Sequence, residues 1–430
     1  KIKDAGFNVL IKFGQGWRNM ASWSPFKGMA LEGYQLNPDN RTKSWPNIAQ
    51  ISKKIQPHIF LKFLDHFLKK WKIPTGEYAY VEFWNEPNIQ SINTVPPTVP
   101  PYISDEEFLN TPFRNYEWDG TPLEFYQLFE VYAKKVKKRY PNIKIGGPAL
   151  WNPAADNDTF PFNKRWIDLF FNYVKEHQVP MDFISWNLYS DSPDDFKTTY
   201  DLIQGQLDRI GYKDTQQIIT EYAIRFDNKT TLPDGREVSN ALIAKGAAIA
   251  TSIWIRLQQF SNLHMAYYYR GNDGPFVPNG VGFPIMLKQE GKEIINSSPG
   301  NFGSSGVGMF HGDGEKKSTA RAFKLWSNMA DLVRRDPDDF LTKSIPYGSE
   351  LSLLAGENDQ KEVIILGAYR NDFSTLKVSI AITGNKIKSA VLETILDKKV
   401  DKKEIICSDA LQHIMIEPNK AFQIKLIYEK

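Results

Sequence analysis

The sequence predicts an α/β chain in two parts. These are a (β/α)8 TIM-type barrel over residues 1–337 and an antiparallel β-sandwich over residues 338–430. Three observations carry that expectation. From residue 6 to about 335, short β-rich runs alternate with long amphipathic helical patterns, as in βα units around a parallel sheet. Beyond Arg335 the texture changes to β-rich segments separated by turns such as Gly356-Glu-Asn-Asp359. A chain of 430 residues, 41% of them hydrophobic, is also ample for one large domain and a smaller one.

The chain opens on KIKDAGFNVLIKF, which reads as a helix end, a Gly6 C-cap and a strand over Asn8–Phe13. Further strands are expected at Ala79–Trp84, Ile143–Gly147, Phe183–Leu188, Gln217–Thr220 and His264–Tyr269. Helices are expected between them at 47–72, 122–139, 163–178, 193–210 and 238–260. The helix at 122–139 shows the logic. Phe125, Leu128, Phe129, Tyr132 and Val136 make one stripe, Thr121 caps it, and Pro122 takes the first turn. Its KKVKKR run at 134–139 is a solvated face. A last helix, Ser318–Arg334, follows a Gly-rich excursion at 271–315. The Gly303–Gly308 run in that excursion lacks the leading strand and the spacing of a phosphate-binding turn. After a short linker at 335–345, sandwich strands are expected at 350–355, 361–369, 375–383, 388–396, 412–416 and 421–428. Six strand–helix units are countable, where a closed barrel needs eight. Either the parallel sheet is open or the first two units precede Lys1, and the opening on a helix end favours the second.

Composition narrows the function. Lys and Arg number 53 against 50 Asp and Glu, interspersed, so no charge field calls for nucleic acid or an anionic membrane. No apolar run is long enough to insert into a bilayer. The single cysteine, Cys407, excludes an intrachain disulfide framework, and the six histidines lie at no metal-ligand spacing. No cofactor and no metal is implied. Sequons at Asn40, Asn157, Asn228 and Asn296 fit exposed loops, and a secreted or periplasmic location is favoured over a cytoplasmic one.

Catalytic residues of parallel barrels lie at the C-terminal ends of strands. The second visible strand ends Trp84-Asn85-Glu86, the fourth Trp186-Asn187-Leu188-Tyr189, the fifth runs into Glu221-Tyr222, and the sixth ends Tyr267-Tyr268-Tyr269-Arg270. Glu86 and Glu221 are thus expected on one rim, and two facing carboxylates are what glycoside hydrolysis requires. Trp17, Trp84, Trp151, Trp186, Tyr222 and Tyr268 supply aromatic faces that suit sugars, whereas Trp71 and Trp326 read as packing. Arg270 is expected to pair with Asp273, and Glu82 to fill a polar layer or meet a cation inside the barrel.

The stretch from FWNEPN through WDGTPLEFYQLFEVYAKKVKKRYPNIKIGGPA resembles glycoside hydrolase family 39, with its β-xylosidases and α-L-iduronidases. FISWNLYS, IITEYA and VGMFHGDGEKKSTARAFKLW follow in the corresponding order, so the resemblance covers most of residues 6–335. It implies Glu86 as acid/base and Glu221 as nucleophile, Asn85 as the amide on the sugar 2-hydroxyl, and Tyr189 as a support for the nucleophile. It also implies that the visible chain begins at barrel strand three, which leaves no candidate for the family clan's strand-two arginine. Asn187 stands where the family usually has histidine, a departure that bears on the sugar bound rather than on the reaction. Asn187, Tyr189, Trp17, Trp151 and Tyr268 join Asn85 as expected substrate contacts. The expected chemistry is retaining, with Glu86 held protonated by a neighbouring charge and partial desolvation, and the carboxyls about 5–5.5 Å apart. The expected substrate is an oligosaccharide or glycoside, cleaved from its end by a β-xylosidase-like enzyme. Other glycosidase specificities (β-glucosidase, β-galactosidase, α-L-iduronidase-like), transglycosylation and a catalytically silent sugar-binding barrel fit the same sequence.

Overall fold

The computed structural model describes residues 9–13, 57–70, 79–88, 103–111, 113–114, 118–155, 162–225, 228–231, 234–235, 237–269, 271, 288–289, 292–293, 308–311, 315–371, 373–380, 387–405 and 413–428. These fall into two compact units. The first takes the described residues up to Leu188 together with Thr198–Glu221 and Asn262–Tyr267. The second takes Tyr189–Lys197, Tyr222–Ser261 and those from Tyr268 onward.

Six strands make one sheet in sequence order: β1 (Val9–Phe13), β2 (Ala79–Phe83), β3 (Lys144–Trp151), β4 (Phe183–Tyr189), β5 (Gln216–Ala223) and β6 (Leu263–Tyr268). The registers of β1 with β2, β2 with β3 and β3 with β4 are parallel. The sheet is a partial TIM-type barrel, with all six strands where the apolar runs predict them. Sequential order follows from the helical crossovers, which return the chain to the same sheet edge each time. The crossovers are α1 (Pro57–Lys70), the short α2 (Asp105–Asn110), α3 (Pro122–Arg139), α4 (Asn163–Glu176), α5 (Pro193–Ile210) and α6 (Ala244–Leu257).

Local chemistry sets the helix ends. Thr121 accepts from the Glu124 backbone N–H while Glu124 reaches back to the Thr121 N–H, a complete capping box with Pro122 in the first turn. Ser104 and Glu107 repeat the arrangement at α2. The predicted stripe of α3 is buried, and Lys134, Lys135, Lys138 and Arg139 are exposed around it. That stripe meets β2 and α4 in a continuous aromatic cluster. Phe83 stacks on Tyr132 with centroids 4.6 Å apart, Trp84 meets Trp118 edge-on at 5.4 Å, and Trp166 stacks on Phe170 at 5.5 Å. Each ring fully removed from water contributes about 1.5–3 kcal/mol, so this cluster anchors β2.

α6 begins later than the sequence suggests. Val238 lies in a short hairpin strand, Asn240–Leu242 forms a 3-10 turn, and the extended Ile243 separates it from Ala244. The last helix of this region, α7 (Ser318–Ser327), stops short of the expected Arg334. The residues expected to end that helix and form a linker instead build sheet. β7 (Val333–Arg335) pairs antiparallel with β9 (Glu350–Glu357), and β8 (Leu341–Ser344) pairs with β11 (Leu376–Ile380).

The remaining strands are β10 (Glu362–Arg370), β12 (Ile387–Ile395), β13 (Val400–Ile405), β14 (His413–Ile416) and β15 (Lys420–Tyr428). One sheet runs β7-β9-β10-β15-β12-β13 and the other β8-β11-β14. Both give residues to one core that includes Val363, Ile365, Leu376, Val378, Phe422 and Ile424, the layering of a sandwich. β13 went unforeseen because VDKKEI carries no buried alternation. It is an edge strand, largely exposed, and its charges suit an edge. Residue 337 lies inside the second unit because α6 and α7 pack on the six-stranded sheet of the sandwich. Gln423 donates to the Leu325 carbonyl at 2.9 Å, and Ser318 to the Ile243 carbonyl at 2.8 Å.

Candidate active site

The site lies in the first unit, at the C-terminal ends of β1, β2, β4 and β5. Its floor is a cross-strand pair. Lys12 on β1 stands in register with Glu82 on β2, and their charged groups approach to 3.5 Å. Glu82 is fully buried, as expected for a carboxylate filling a polar layer inside the barrel. Its neighbour on the other side is Gly146. Packing requires that glycine, since a Cβ there would lie 2.1 Å from the Phe183 carbonyl oxygen.

Past Phe83 the strand breaks pattern. Trp84 and Glu86 both take positive φ, 75° and 49°, which costs of order 1–3 kcal/mol each for non-glycine residues. A bulge in β3 holds the turn. The register slips between Gly147 and Leu150, Ala149 turns to φ 53°, and its carbonyl accepts the Glu86 N–H at 3.1 Å. Beyond it, Asn88 is buried and clamps Trp151, donating to its carbonyl and accepting from its N–H, both at 2.8 Å. Asn163 at the start of α4 ties down the same loop by donating to the Asn152 carbonyl at 2.8 Å and the Ala155 carbonyl at 3.2 Å.

Asn187 joins the two glutamates. Its Nδ2 donates to Glu86 Oε1 at 2.8 Å and to Glu221 Oε2 at 3.2 Å. Laid end to end, those lengths cap the gap between the two oxygens at 6.0 Å. Its Oδ1 accepts from the Thr220 hydroxyl at 3.0 Å, and the carboxylates, which accept, fix the amide nitrogen on their side. Burial is the largest influence on Glu221 and raises its carboxyl above the usual range; Lys12 pulls it back and Glu82 pushes it further up.

The structure therefore brings Asn85, Glu86, Asn187 and Glu221 together. Trp151 stands beside Asn187 in the sheet register, partly exposed. Tyr189 and Tyr268 belong to the second unit, where Tyr189 meets Tyr269 edge-on and Tyr268 meets Tyr222 edge-on. Trp17 and Arg270 lie outside the described residues. Trp84, Trp186 and Tyr222, expected as sugar faces, are buried core residues; Trp186 spends its ring N–H on Gln217. Lys12, Thr220 and the Asn88–Asn163 pair complete the surroundings and were not singled out from the sequence. A lysine in the apolar run VLIKF was a visible signal, but its partner depends on strand register. Among the described residues, no group of His, Cys, Asp and Glu is arranged to hold a metal ion, and no helix is long and apolar enough to cross a membrane.

Residues 105–224 match the profile described as Glycosyl hydrolases family 39. Over 140 residues the chain is 25% identical to a β-xylosidase of Geobacillus stearothermophilus, covering 33% of this chain and 21% of that protein. Over 147 residues it is 23% identical to a β-xylosidase of Caldicellulosiruptor saccharolyticus, covering 34% and 21%. The matched stretch thus spans about a fifth of each curated relative. Among solved structures, a monomeric β-xylosidase from Caulobacter crescentus aligns with TM-score 0.53 and 14% identity over 86% of this chain and 74% of that one. A GH39 enzyme from Xanthomonas axonopodis pv. citri aligns with TM-score 0.52 and 12% identity over 88% and 72%. At such identities the two structures speak for the fold.

Proposed function

We propose that this chain, whose residues 105–224 match the profile of glycosyl hydrolase family 39, is a retaining O-glycoside hydrolase working through Glu86 and Glu221. The observation that carries the proposal is the single Asn187 amide nitrogen bonded to both carboxylates. Two carboxyls that share one donor stand across a gap that a glycosidic bond can occupy. The cap of 6.0 Å on one oxygen pair favours direct attack over the roughly 6.5–9.5 Å spacing that admits a water between carboxyls.

In the first step a Glu221 oxygen forms a bond to the anomeric carbon as the bond to the leaving oxygen breaks. Glu86 gives its proton to that oxygen. In the second step Glu86 takes a proton from water, the hydroxide attacks the anomeric carbon, and Glu221 leaves as carboxylate. The Asn187 bond and the Lys12 charge favour the ionised nucleophile against the burial that opposes it. Asn85 is proposed to grip the sugar 2-hydroxyl, with Trp151 and Trp17 as further sugar contacts. The two curated relatives named β-xylosidase favour an exo-acting β-xylosidase-like activity.

A panel of aryl β-xyloside, β-glucoside, β-galactoside and α-L-iduronide, followed by proton NMR of the first sugar released, tests this. Turnover fastest on the β-xyloside, with the β-anomer appearing first, is expected. An α-anomer first from a β-xyloside, or no turnover of any member by folded protein, would overturn it.

A further inference from the structure

The cation beneath the two glutamates moves no proton and forms no bond in the steps above, and its surroundings are specific. The Lys12 ammonium donates to Asn85 Oδ1 and stands 3.5 Å from Glu82 Oε2. Asn85 Oδ1 also faces Asn187 Nδ2 at 3.5 Å, the nitrogen that bonds Glu86 and Glu221. A lysine only donates, so the Asn85 atom facing it must be the oxygen, and the amide nitrogen is left to point the other way. Glu82 is fully buried, and its only cation partner among the described residues is Lys12. An uncompensated carboxylate there would be strongly disfavoured.

We propose that Lys12 is a positioning residue that fixes the Asn85 amide with its nitrogen toward the substrate and balances the Glu82 and Glu221 charges so that Glu221 is ionised. The proposal rests on the glycosidase reading above and extends it to a residue that touches no sugar. The acids tied to this cation are Glu82 on β2, 3.5 Å away, and Glu221 on β5, whose carboxyl it pulls down; the Tyr267 hydroxyl on β6, whose ionisation burial opposes first and Glu82 second, faces that same Glu82 charge. Removing Lys12 therefore takes away the positive charge that offsets Glu82 and Glu221. Contacts from Lys12 to Asn85, Asn85 to Asn187 and Asn187 to Glu221 join the cation to the carboxylate that its charge pulls down.

Two measurements separate this proposal from its premise. The first needs no turnover: carbon-13 NMR titration of carboxyl-labelled glutamates, with Glu221 assigned through Glu221→Gln. In Lys12→Met, checked for folding by circular dichroism, the Glu221 midpoint should move further up; in Lys12→Arg it should remain near wild type. Lys12→Gln, which keeps a donor but no charge, serves if the methionine variant does not fold, with the same shift expected. An unmoved midpoint in the charge-free variant overturns the electrostatic role. The second measurement compares an aryl glycoside with its 2-deoxy analogue. Lys12→Met should lower kcat/KM about tenfold to hundredfold on the first and distinctly less on the second, where Asn85 has no hydroxyl to grip. Equal losses on both would overturn the positioning of Asn85. Failure of wild-type protein to turn over any glycoside would sink the glycosidase reading while leaving the titration to decide Lys12.

Discussion

Strands β2 and β10 are both buried along their length, yet they bury different chemistry. The interior of β10 is Val363 through Tyr369, and Tyr369 satisfies its hydroxyl by donating to the Ser374 carbonyl at 2.7 Å. β2 instead carries Glu82 into the protein beside Lys12, then turns through two residues at positive φ. Apolar packing gives the first strand everything a sheet needs. The second carries a buried ion pair, which seldom stabilises a fold by itself, and a strained turn. Strain and buried charge at one strand end need another reason, and the approach of Glu86 and Glu221 to a common amide supplies it. β10 carries apolar packing alone, whereas β2 adds a buried charge and backbone strain to its aromatic packing.

Substitutions should separate along that line. Glu221→Ala is expected to lower kcat on the order of 10⁴-fold or more with the fold intact. Phe422→Ala, in the sandwich core, should cost about 3–5 kcal/mol in denaturant unfolding while kcat per folded molecule stays unchanged. A stability loss in the first comparable to the second would erase the contrast. A smaller effect follows from the raised carboxyl of Glu221, whose ordinary value is 4.5. The folded state holds this proton to a higher pH than the unfolded chain does, so the ionised group weighs against folding above its folded midpoint, and that burden vanishes below 4.5. Glu221→Gln should therefore raise the Tm near neutral pH and lose that advantage as the pH falls through this window. A gain independent of pH would contradict it. Smallest of all, Thr121→Ala removes one side-chain cap from α3 and should cost about 1 kcal/mol with no change in kcat.

How much of this was legible in the sequence varied with the physics involved. All six sheet strands were readable because apolar runs bounded by turn residues report burial directly. Helix α3 was readable to the residue, since Thr121 and Pro122 mark its start chemically. Glu86 and Glu221 stood out as carboxylates at the ends of apolar strands. Strand β13 was invisible because a charged edge needs no buried face. The platform role expected of Trp84 and Trp186 failed because a tryptophan next to a candidate catalytic residue looks the same in sequence whether it faces solvent or core; here both are buried. Lys12 escaped notice for a different reason. Its meaning comes from the Lys12–Glu82 register of a parallel pair, and parallel strands carry no turn that sets register locally.

The most direct measurement is covalent trapping with an activated 2-deoxy-2-fluoro β-xyloside, followed by peptide mapping with mass spectrometry. A fluoroxylosyl adduct on the peptide that contains Glu221, one per molecule and absent in Glu221→Gln, is the predicted result. An adduct on Glu86 or Glu82, or full turnover of the reagent with inverted stereochemistry, would contradict the assignment of the two glutamates.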